Sequence, residues 1–315
     1  MIDDVTFVPS DVTLSNLSAI AKAGFITSER RVCEIFELAS YAVRFSLDLY
    51  AAGMGVYEIL SLISDGLSTG FDTDFGDDAL ALAKAYPSFI GTSDRAEFAR
   101  LYVKEMREAG VTIDEFVLLN EPIKDKSVVY VKNSLADEAY DVLTQEIKDL
   151  RVSYAAGFKE AADAVTSMSS TFCLLPLEEQ RGTRLSSISD ILYRRDFKIN
   201  AVTSVFGFDG NADMKYALLS ASFVVPTILR DDDGYFEIRI KDEGDLALSE
   251  ILSVADCYGI SLYRVSTERF ENEGELSTYY SIVFKNTGGG FTDLIVYLTL
   301  FSSDFVPIGM YKNLE

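Results

Sequence analysis

An alternation of short apolar runs with segments of helical periodicity begins at about Lys126, and it constrains the fold more than any other feature of the chain. We predict strands at Ser127–Val131, Leu150–Tyr154, Phe172–Leu175 and Lys198–Phe206. The segments between them predict helices over residues 134–147, 158–168 and 183–194, the first capped by Ser134 and Asp137. Strands and helices in this order form βαβ units, so the sequence predicts an α/β fold with a Rossmann-like, parallel-sheet lobe at residues 123–215.

Two other regions flank this lobe. Residues 1–122 carry apolar positions at helical spacing and are predicted to form a helical region. After a turn at residues 231–234, strand and helix patterns follow in the order βαββαβ, with Gly259 ending the first helix. That order predicts a ferredoxin-like sandwich, which we assign to residues 216–315.

The composition limits what the chain binds and where it works. With 50 acidic and 28 basic residues the net charge is −22, and such a chain is not expected to bind nucleic acid, which needs a basic face. No uncharged apolar run is long enough to span a membrane. The three cysteines are far apart, and Met1 is followed by Asp3 and Asp4 rather than by a basic segment. We therefore expect a cytoplasmic protein with reduced thiols.

Histidine is absent from the whole chain. This excludes Ser-His-Asp and Cys-His catalytic arrangements and metal sites built on imidazole. Any acid–base chemistry falls to Asp, Glu, Lys, Tyr or Cys. We expect no metal and no cofactor.

The ligand site of a parallel α/β sheet lies at the carboxyl ends of its strands. Here those ends are residues 132–133, 155–157 and 176–184. In the last of them Glu178 and Glu179 are candidate acids, and Arg181 with Arg184 is a candidate grip for a carboxylate. The alternative is that the two carboxylates are solvated or cap a helix, and that the arginines form an exposed basic pair.

Several motifs resemble one known family. Tyr258-Gly-Ile-Ser-Leu-Tyr-Arg-Val, Thr278-Tyr-Tyr-Ser-Ile-Val-Phe and Val306-Pro-Ile-Gly-Met-Tyr resemble ACT domains. Pro176-Leu-Glu-Glu, directly after the third strand, resembles the Pro-Ile-Glu-Asn loop of prephenate dehydratases. Phe197-Lys-Ile-Asn-Ala-Val resembles the strand by which that family crosses to its second lobe. Taken together, and in this order, the motifs make residues 126–315 similar to the prephenate dehydratase family.

The resemblance implies a two-lobed, periplasmic-binding-like catalytic domain, followed by an ACT domain that senses phenylalanine. The family converts prephenate to phenylpyruvate, water and carbon dioxide. Positions that match the family's loops are Asn133 and Ser134 for substrate binding, Glu178 and Glu179 for catalysis, and Leu246, Ala247, Leu248, Ser266, Thr267 and Glu268 for effector binding. From the chemistry of the strand-end loop we add Thr183 as a catalytic candidate and Arg181 and Arg184 as substrate-binding candidates.

Departures from the family pattern bear on the activity. Only about thirty residues separate the fourth strand from Tyr235, too few for a second compact lobe. The family's Thr-Thr-Arg-Phe motif has no clear counterpart, and Val131-Lys-Asn-Ser-Leu-Ala-Asp replaces its glycine-rich substrate loop. The Gly-Ala-Leu loop of the ACT domain becomes Leu246-Ala247-Leu248.

These features lead to one leading hypothesis and two alternatives. The leading hypothesis is a degenerate member of the family, a homodimer that senses a small aromatic or dicarboxylate ligand such as prephenate or an aromatic amino acid. The first alternative is an active prephenate dehydratase whose site is completed by the N-terminal region or by a dimer partner. The second is a protein-interaction module.

Overall fold

The secondary structure follows the predicted order, with helices before residue 118 and alternating strands and helices after residue 126. The structure is a computed structural model that describes residues 31, 33–71, 76–85, 91–114, 118, 125–179, 183–206, 213–224, 234–272, 275–287 and 291–314. The helices are α1 (33–51), α2 (Val56–Thr69), α3 (Gly76–Ala85), α4 (Thr92–Glu108), α5 (Ser134–Glu146), α6 (Phe158–Thr166), α7 (Ser186–Arg194), α8 (Leu248–Cys257) and α9 (Thr292–Phe301). The strands are β1 (Ser127–Tyr130), β2 (Arg151–Tyr154), β3 (Phe172–Glu179), β4 (Thr183–Arg184), β5 (Lys198–Phe206), β6 (Asp213–Ser220), β7 (Tyr235–Lys241), β8 (Ile260–Asn272), β9 (Glu275–Asn286), β10 (Val306–Tyr311) and β11 (Asn313–Leu314).

The first α/β unit, which we call the lobe, is built on β1, β2 and β3, and these strands are parallel as predicted. Strand β3 is buried on both faces: Phe172 and Leu174 belong to one apolar core, and Cys173 and Leu175 belong to the other. This alternation is the period of two that a strand imposes on its side chains. Helix α5 covers the first core, and α6 and α7 cover the second. The predicted α/β class is confirmed.

One strand of the lobe runs against its neighbours. Strand β6 lies between β3 and β5 and is antiparallel to both. Residues 207–212 join β5 to β6, and so short a connection allows only antiparallel neighbours, because a parallel crossover needs a dozen residues or more. The predicted boundary between residues 215 and 216 therefore falls inside a strand that pairs with the lobe.

The second α/β unit has the strand order β10-β7-β9-β8, with every neighbouring pair antiparallel and α8 and α9 on one face. This is the ferredoxin-like βαββαβ arrangement. We call it the C-terminal unit. Its β8–β9 hairpin is longer than predicted: Glu271 pairs with Leu276 and Asn272 with Glu275, where the sequence predicts a loop over 271–277. The end of the hairpin is exposed, so its residues are polar and lack the alternation of apolar and polar residues that predicts a strand. The sequence therefore predicts a loop there.

The two units share one sheet. Strand β10 pairs in parallel with β5 through Gly309 and Ile199, and β11 continues along β5. A Cβ atom at position 309 would lie 3.2 Å from the Cβ of Ile199 and 2.8 Å from the ring of Tyr311. Glycine is therefore required where the two units meet.

The N-terminal helices cover the helical face of the C-terminal unit. Helix α9 is buried along its whole length, since α2 and α4 pack on its side away from the sheet. A helix that is apolar all round, as α9 is, needs such enclosure. Two hydrogen bonds fix the contact: Ser64 Oγ donates to the Leu300 carbonyl at 3.0 Å, and Tyr258 Oη donates to the Ala96 carbonyl at 2.7 Å. None of the helices formed by the described residues has both the length and the apolarity that crossing a bilayer requires.

We expect Phe98→Ala to destabilise the protein by about 3–5 kcal/mol, because removing a buried phenylalanine ring leaves a cavity. Phe98 on α4 is 1% exposed and lies edge-on to Phe301 of α9, with ring centroids 6.2 Å apart. Urea denaturation followed by circular dichroism measures the loss. Phe36→Ala is the control: this ring is 54% exposed, so the expected change stays within about 0.5 kcal/mol. Equal stability of the two variants would contradict the packing described here.

Candidate functional site

The mouth of the lobe, residues 176–184, is a strand hairpin rather than a loop leading into a helix. Strand β3 continues through Glu179, and β4 folds back on it with Glu178 opposite Arg184. The predicted helix start at Thr183 is wrong, since α7 begins at Ser186. Directly opposed residues in an antiparallel pair project to the same face. The Glu178 and Arg184 side chains consequently both reach the C-terminal unit.

Glu178, a predicted catalytic residue, bridges three segments of the chain. Its carboxylate is 4% exposed. Arg264 Nη1 on β8 donates to Oε1 at 2.5 Å, and Lys215 Nζ on β6 lies 3.2 Å from Oε2. Both carboxylate oxygens thus have cationic partners within the protein, which favours a role in joining the units.

Arg184, a predicted substrate-binding residue, forms a buried ion pair with Glu237 of β7. Its Nη1 contacts Glu237 Oε1, and its Nη2 donates to Oε2 at 2.8 Å. Ser281 Oγ donates to the same carboxylate at 3.0 Å and Tyr311 Oη at 3.4 Å. Burial opposes both charges, but the pairing outweighs it: the pKa of Arg184 is raised and the pKa of Glu237 is lowered. Both groups are held ionised.

The carboxyl ends of β1 and β2 are satisfied by the chain itself. Asn133, rather than the predicted Ser134, caps α5: its Oδ1 accepts from the Ala136 amide at 2.9 Å. Ser134 is exposed in the first helical turn. At the start of α6, Glu160 accepts from the Ala156 amide at 2.8 Å. One backbone amide at each of these two helix starts is therefore already bonded to a side chain of the protein.

A cleft of about 550 Å³ lies beside the mouth, between α7 and β8. On the α7 side it is lined by Arg184, Ser186, Ser189 and Asp190. On the β8 side it is lined by Arg264, Ser266, Thr267, Glu268, Arg269 and Phe270. The structure thus brings Arg184 together with three predicted effector residues, Ser266, Thr267 and Glu268. The sequence predicts Arg184 as a substrate-binding residue of the lobe and the other three as effector-binding residues of the C-terminal unit.

The cleft carries charges of both signs and one aromatic surface. Glu268 Oε1 accepts from Ser189 Oγ at 2.8 Å, which ties the two walls together. Phe270 stacks on Tyr193 of α7, with centroids 3.9 Å apart and planes within 1° of parallel. Arg269 is exposed at the rim. Such a surface suits a small ligand that has polar ends and an apolar body.

The other predicted site residues lie elsewhere. Leu246 is buried in the apolar core on the helical side of the C-terminal unit, and Leu248 packs against that core. Ala247 is the N-cap of α8. None of the three lines the cleft. Arg181 and the side chains of Glu179 and Thr183 lie outside the described residues.

Two cleft-lining residues of α7, Ser189 and Asp190, were not predicted from the sequence. Ser189 and Asp190 reach the cleft because Ile188 and Leu192 turn the apolar face of α7 into the lobe. The amphipathic pattern of that helix marks its polar face, but nothing in it says that β8 lies opposite.

Across the described ranges, no group of three or more Cys, Asp or Glu side chains is placed to hold a metal ion.

Comparisons with known proteins give a match at the level of solved structures alone. No protein-family model matches the chain, and no curated protein matches it in sequence. A prephenate dehydratase from Streptococcus mutans is similar at 17% identity and a TM-score of 0.46, over 61% of this chain and 100% of that one. A prephenate dehydratase from Arthrobacter aurescens, in complex with L-Phe, is similar at 11% identity and 0.44, over 59% of this chain and 90% of that one.

A third solved structure, GqqA, described as a novel type of quorum quenching acylase, is similar at 14% identity and a TM-score of 0.44. That match covers 60% of this chain and 95% of the other. Likenesses of this strength describe what the chain is similar to and carry no argument about its activity.

We expect Glu237→Gln to destabilise the protein by about 3–5 kcal/mol, because it leaves the Arg184 guanidinium buried without its counter-charge. Adding Arg184→Met to this variant removes the orphaned charge and restores most of the loss. Urea denaturation measures both. Glu97→Gln is the matched control, since the Glu97–Arg100 pair is exposed and contributes about 0–1 kcal/mol. A Glu237→Gln protein as stable as the control would refute the structural role of the pair.

Proposed function

We propose that the chain is a prephenate dehydratase-related protein of aromatic amino-acid metabolism that binds a small aromatic ligand in the cleft and acts as a sensor rather than as a dehydratase. The observation that carries this proposal is a cavity in which Ser266, Thr267 and Glu268 of β8 face Ser189 of α7. A volume of about 550 Å³ lies within the range of small-molecule sites. The ACT-like motifs of the sequence support the same ligand class.

The ion pairs at the mouth support a sensor over an active dehydratase. The residues available for substrate chemistry, Glu178 and Arg184, are both engaged by the C-terminal unit. Between β5 and β7 the described residues form β6 and a short segment to Val224, and β6 joins the lobe sheet. The mouth of the lobe is therefore packed against the C-terminal unit.

The position of the N-terminal helices speaks against one alternative. Helices α2 and α4 pack on α8 and α9, on the face of the C-terminal sheet opposite to the cleft. No described residue of the N-terminal region lines the cleft. Completion of a catalytic site by the described part of this region is therefore disfavoured.

We expect L-phenylalanine to raise the melting temperature by several degrees, because a ligand at about 100 times its Kd adds roughly 2.7 kcal/mol to the free energy of unfolding. A thermal-shift screen of Phe, Tyr, Trp and prephenate measures this. In parallel, incubation with prephenate followed by phenylpyruvate absorbance is expected to match the spontaneous rate. Turnover above that rate would support the active enzyme, and no shift with any ligand would support the interaction module.

We further propose a homodimer formed through the edge of β8. The helical face is covered by α2 and α4, whereas β8 pairs with β9 alone within the described residues and leaves Leu262 48% exposed. A long edge strand with exposed apolar residues is a pairing surface. Light scattering is expected to give twice the monomer mass for the wild type and the monomer mass for Leu262→Lys. Met168→Lys, at a 90% exposed position in the lobe, should stay dimeric, and a monomeric wild type would exclude this interface.

A further inference from the structure

A second cavity, of about 720 Å³, lies where the N-terminal helices, the lobe and the C-terminal unit meet. We call it the junction cavity. Its described lining comes from α1 and α2 (residues 50 and 55–58), from residue 118, from the lobe (residues 196, 198 and 221–223) and from the start of β10 (residues 305–307). No described residue lines both this cavity and the cleft between α7 and β8. Small-molecule sites are common where structural units meet, and this volume is in their usual range.

The junction cavity has an apolar floor and an open rim. Val56, Leu118 and Phe223 line it and are buried. Tyr50 and Tyr57 also line it, and they are 44% and 40% exposed. A ligand can therefore enter beside the two tyrosines and bury an apolar body against the floor.

The charges around the junction cavity favour a cation over an anion. Lys198 is already paired, since its Nζ lies 2.7 Å from Asp196 Oδ1. Glu58 has no cationic partner within the described residues, and its Oε2 accepts a hydrogen bond from the Gly55 amide at 3.1 Å. The positive end of α2 would attract an anion, but Glu58 in that first turn already complements it. An anion would thus meet a carboxylate, whereas a cation would supply the missing counter-charge.

The two tyrosines add to this preference. Tyr57 and Glu58 both line the cavity from the first turn of α2, and Tyr50 joins them from the last turn of α1. Aromatic rings attract cations through their electron-rich faces, and groups of such rings recognise organic ammonium ions. The rim therefore combines two rings with a carboxylate that lacks a counter-ion.

We propose that the junction cavity is a second ligand site, which takes an organic ammonium ion with an apolar body. The cationic end lies at Tyr50, Tyr57 and Glu58, and the body packs on the apolar floor. Because all three regions line the cavity, such a ligand holds the N-terminal helices against the rest of the chain. This inference does not depend on the proposed sensor function, which uses the cleft.

Isothermal titration at neutral pH with cyclohexylmethylamine, cyclohexylmethanol and cyclohexanecarboxylate tests the ligand class, since the three probes share one apolar ring and differ in charge. The amine should bind roughly tenfold more tightly than either of the others, the scale of a hydrogen bond to a charged group. Equal binding of the three probes, or no binding of the amine, would overturn the inference.

Three variants test the rim. Glu58→Gln keeps an acceptor for the Gly55 amide but loses the charge, and it should weaken amine binding roughly tenfold. Tyr57→Leu should weaken it about two- to fivefold, the scale of a cation–π contact at an exposed site, and Tyr57→Phe should preserve it. Glu97→Gln, which changes an exposed carboxylate on α4, is the control and should leave it unchanged. Wild-type affinity in both Glu58→Gln and Tyr57→Leu would contradict the assignment.

Hydrogen exchange with and without the amine locates the site. Slower exchange at residues 50–58, 221–223 and 305–307 is the expected result. Slower exchange at residues 186–190 and 264–270 alone would place the amine in the cleft and overturn the inference. The response to L-phenylalanine is measured separately and decides only the sensor function.

Discussion

The ion pair between Arg184 and Glu237 determines how the two α/β units meet. Glu237 is fully buried and accepts hydrogen bonds from Arg184, Ser281 and Tyr311. Only a narrow range of positions of these groups satisfies its carboxylate. Helix α7 begins two residues after Arg184, and fixing the guanidinium therefore fixes the start of the helix. That helix is one wall of the cleft. The position of the cleft thus follows from the contact between the two units.

The same interface shows how residues suited to binding a substrate can hold a protein together. Carboxylates and guanidinium groups recognise the same partners whether these belong to a ligand or to another strand. At the mouth of the lobe those partners are Arg264, Lys215 and Glu237, all from elsewhere in the chain. Within the described part of this interface, the Nε of Arg239 is buried without an acceptor. The cleft therefore lies at the side of the lobe rather than at its strand ends.

The order of strands and helices was predictable because each apolar run and each cap is a local pattern. Gly259 follows α8 as predicted, and the cap of α5 is Asn133, one residue before the predicted Ser134. The insertion of β6 and the partners of the mouth are not local: Arg184 and Glu237 are 53 positions apart, and Arg264 and Glu178 are 86 apart. No pattern in the sequence singled out Arg239. In Ile238-Arg239-Ile240 the alternation of apolar and polar residues places Arg239 on the polar face of a strand. It does not indicate whether that face is exposed to solvent or covered by another unit.

The pairing of β11 with β5 has a consequence for folding during translation. Leu314 belongs to the apolar core of the lobe, beside Val205 and Tyr216, although the whole C-terminal unit separates it from them in the chain. Domains commonly fold one after another as they are translated. Here the lobe cannot close its core until the C-terminal unit has been synthesised. Until then the nascent lobe exposes the edge of β5 that β11 later covers.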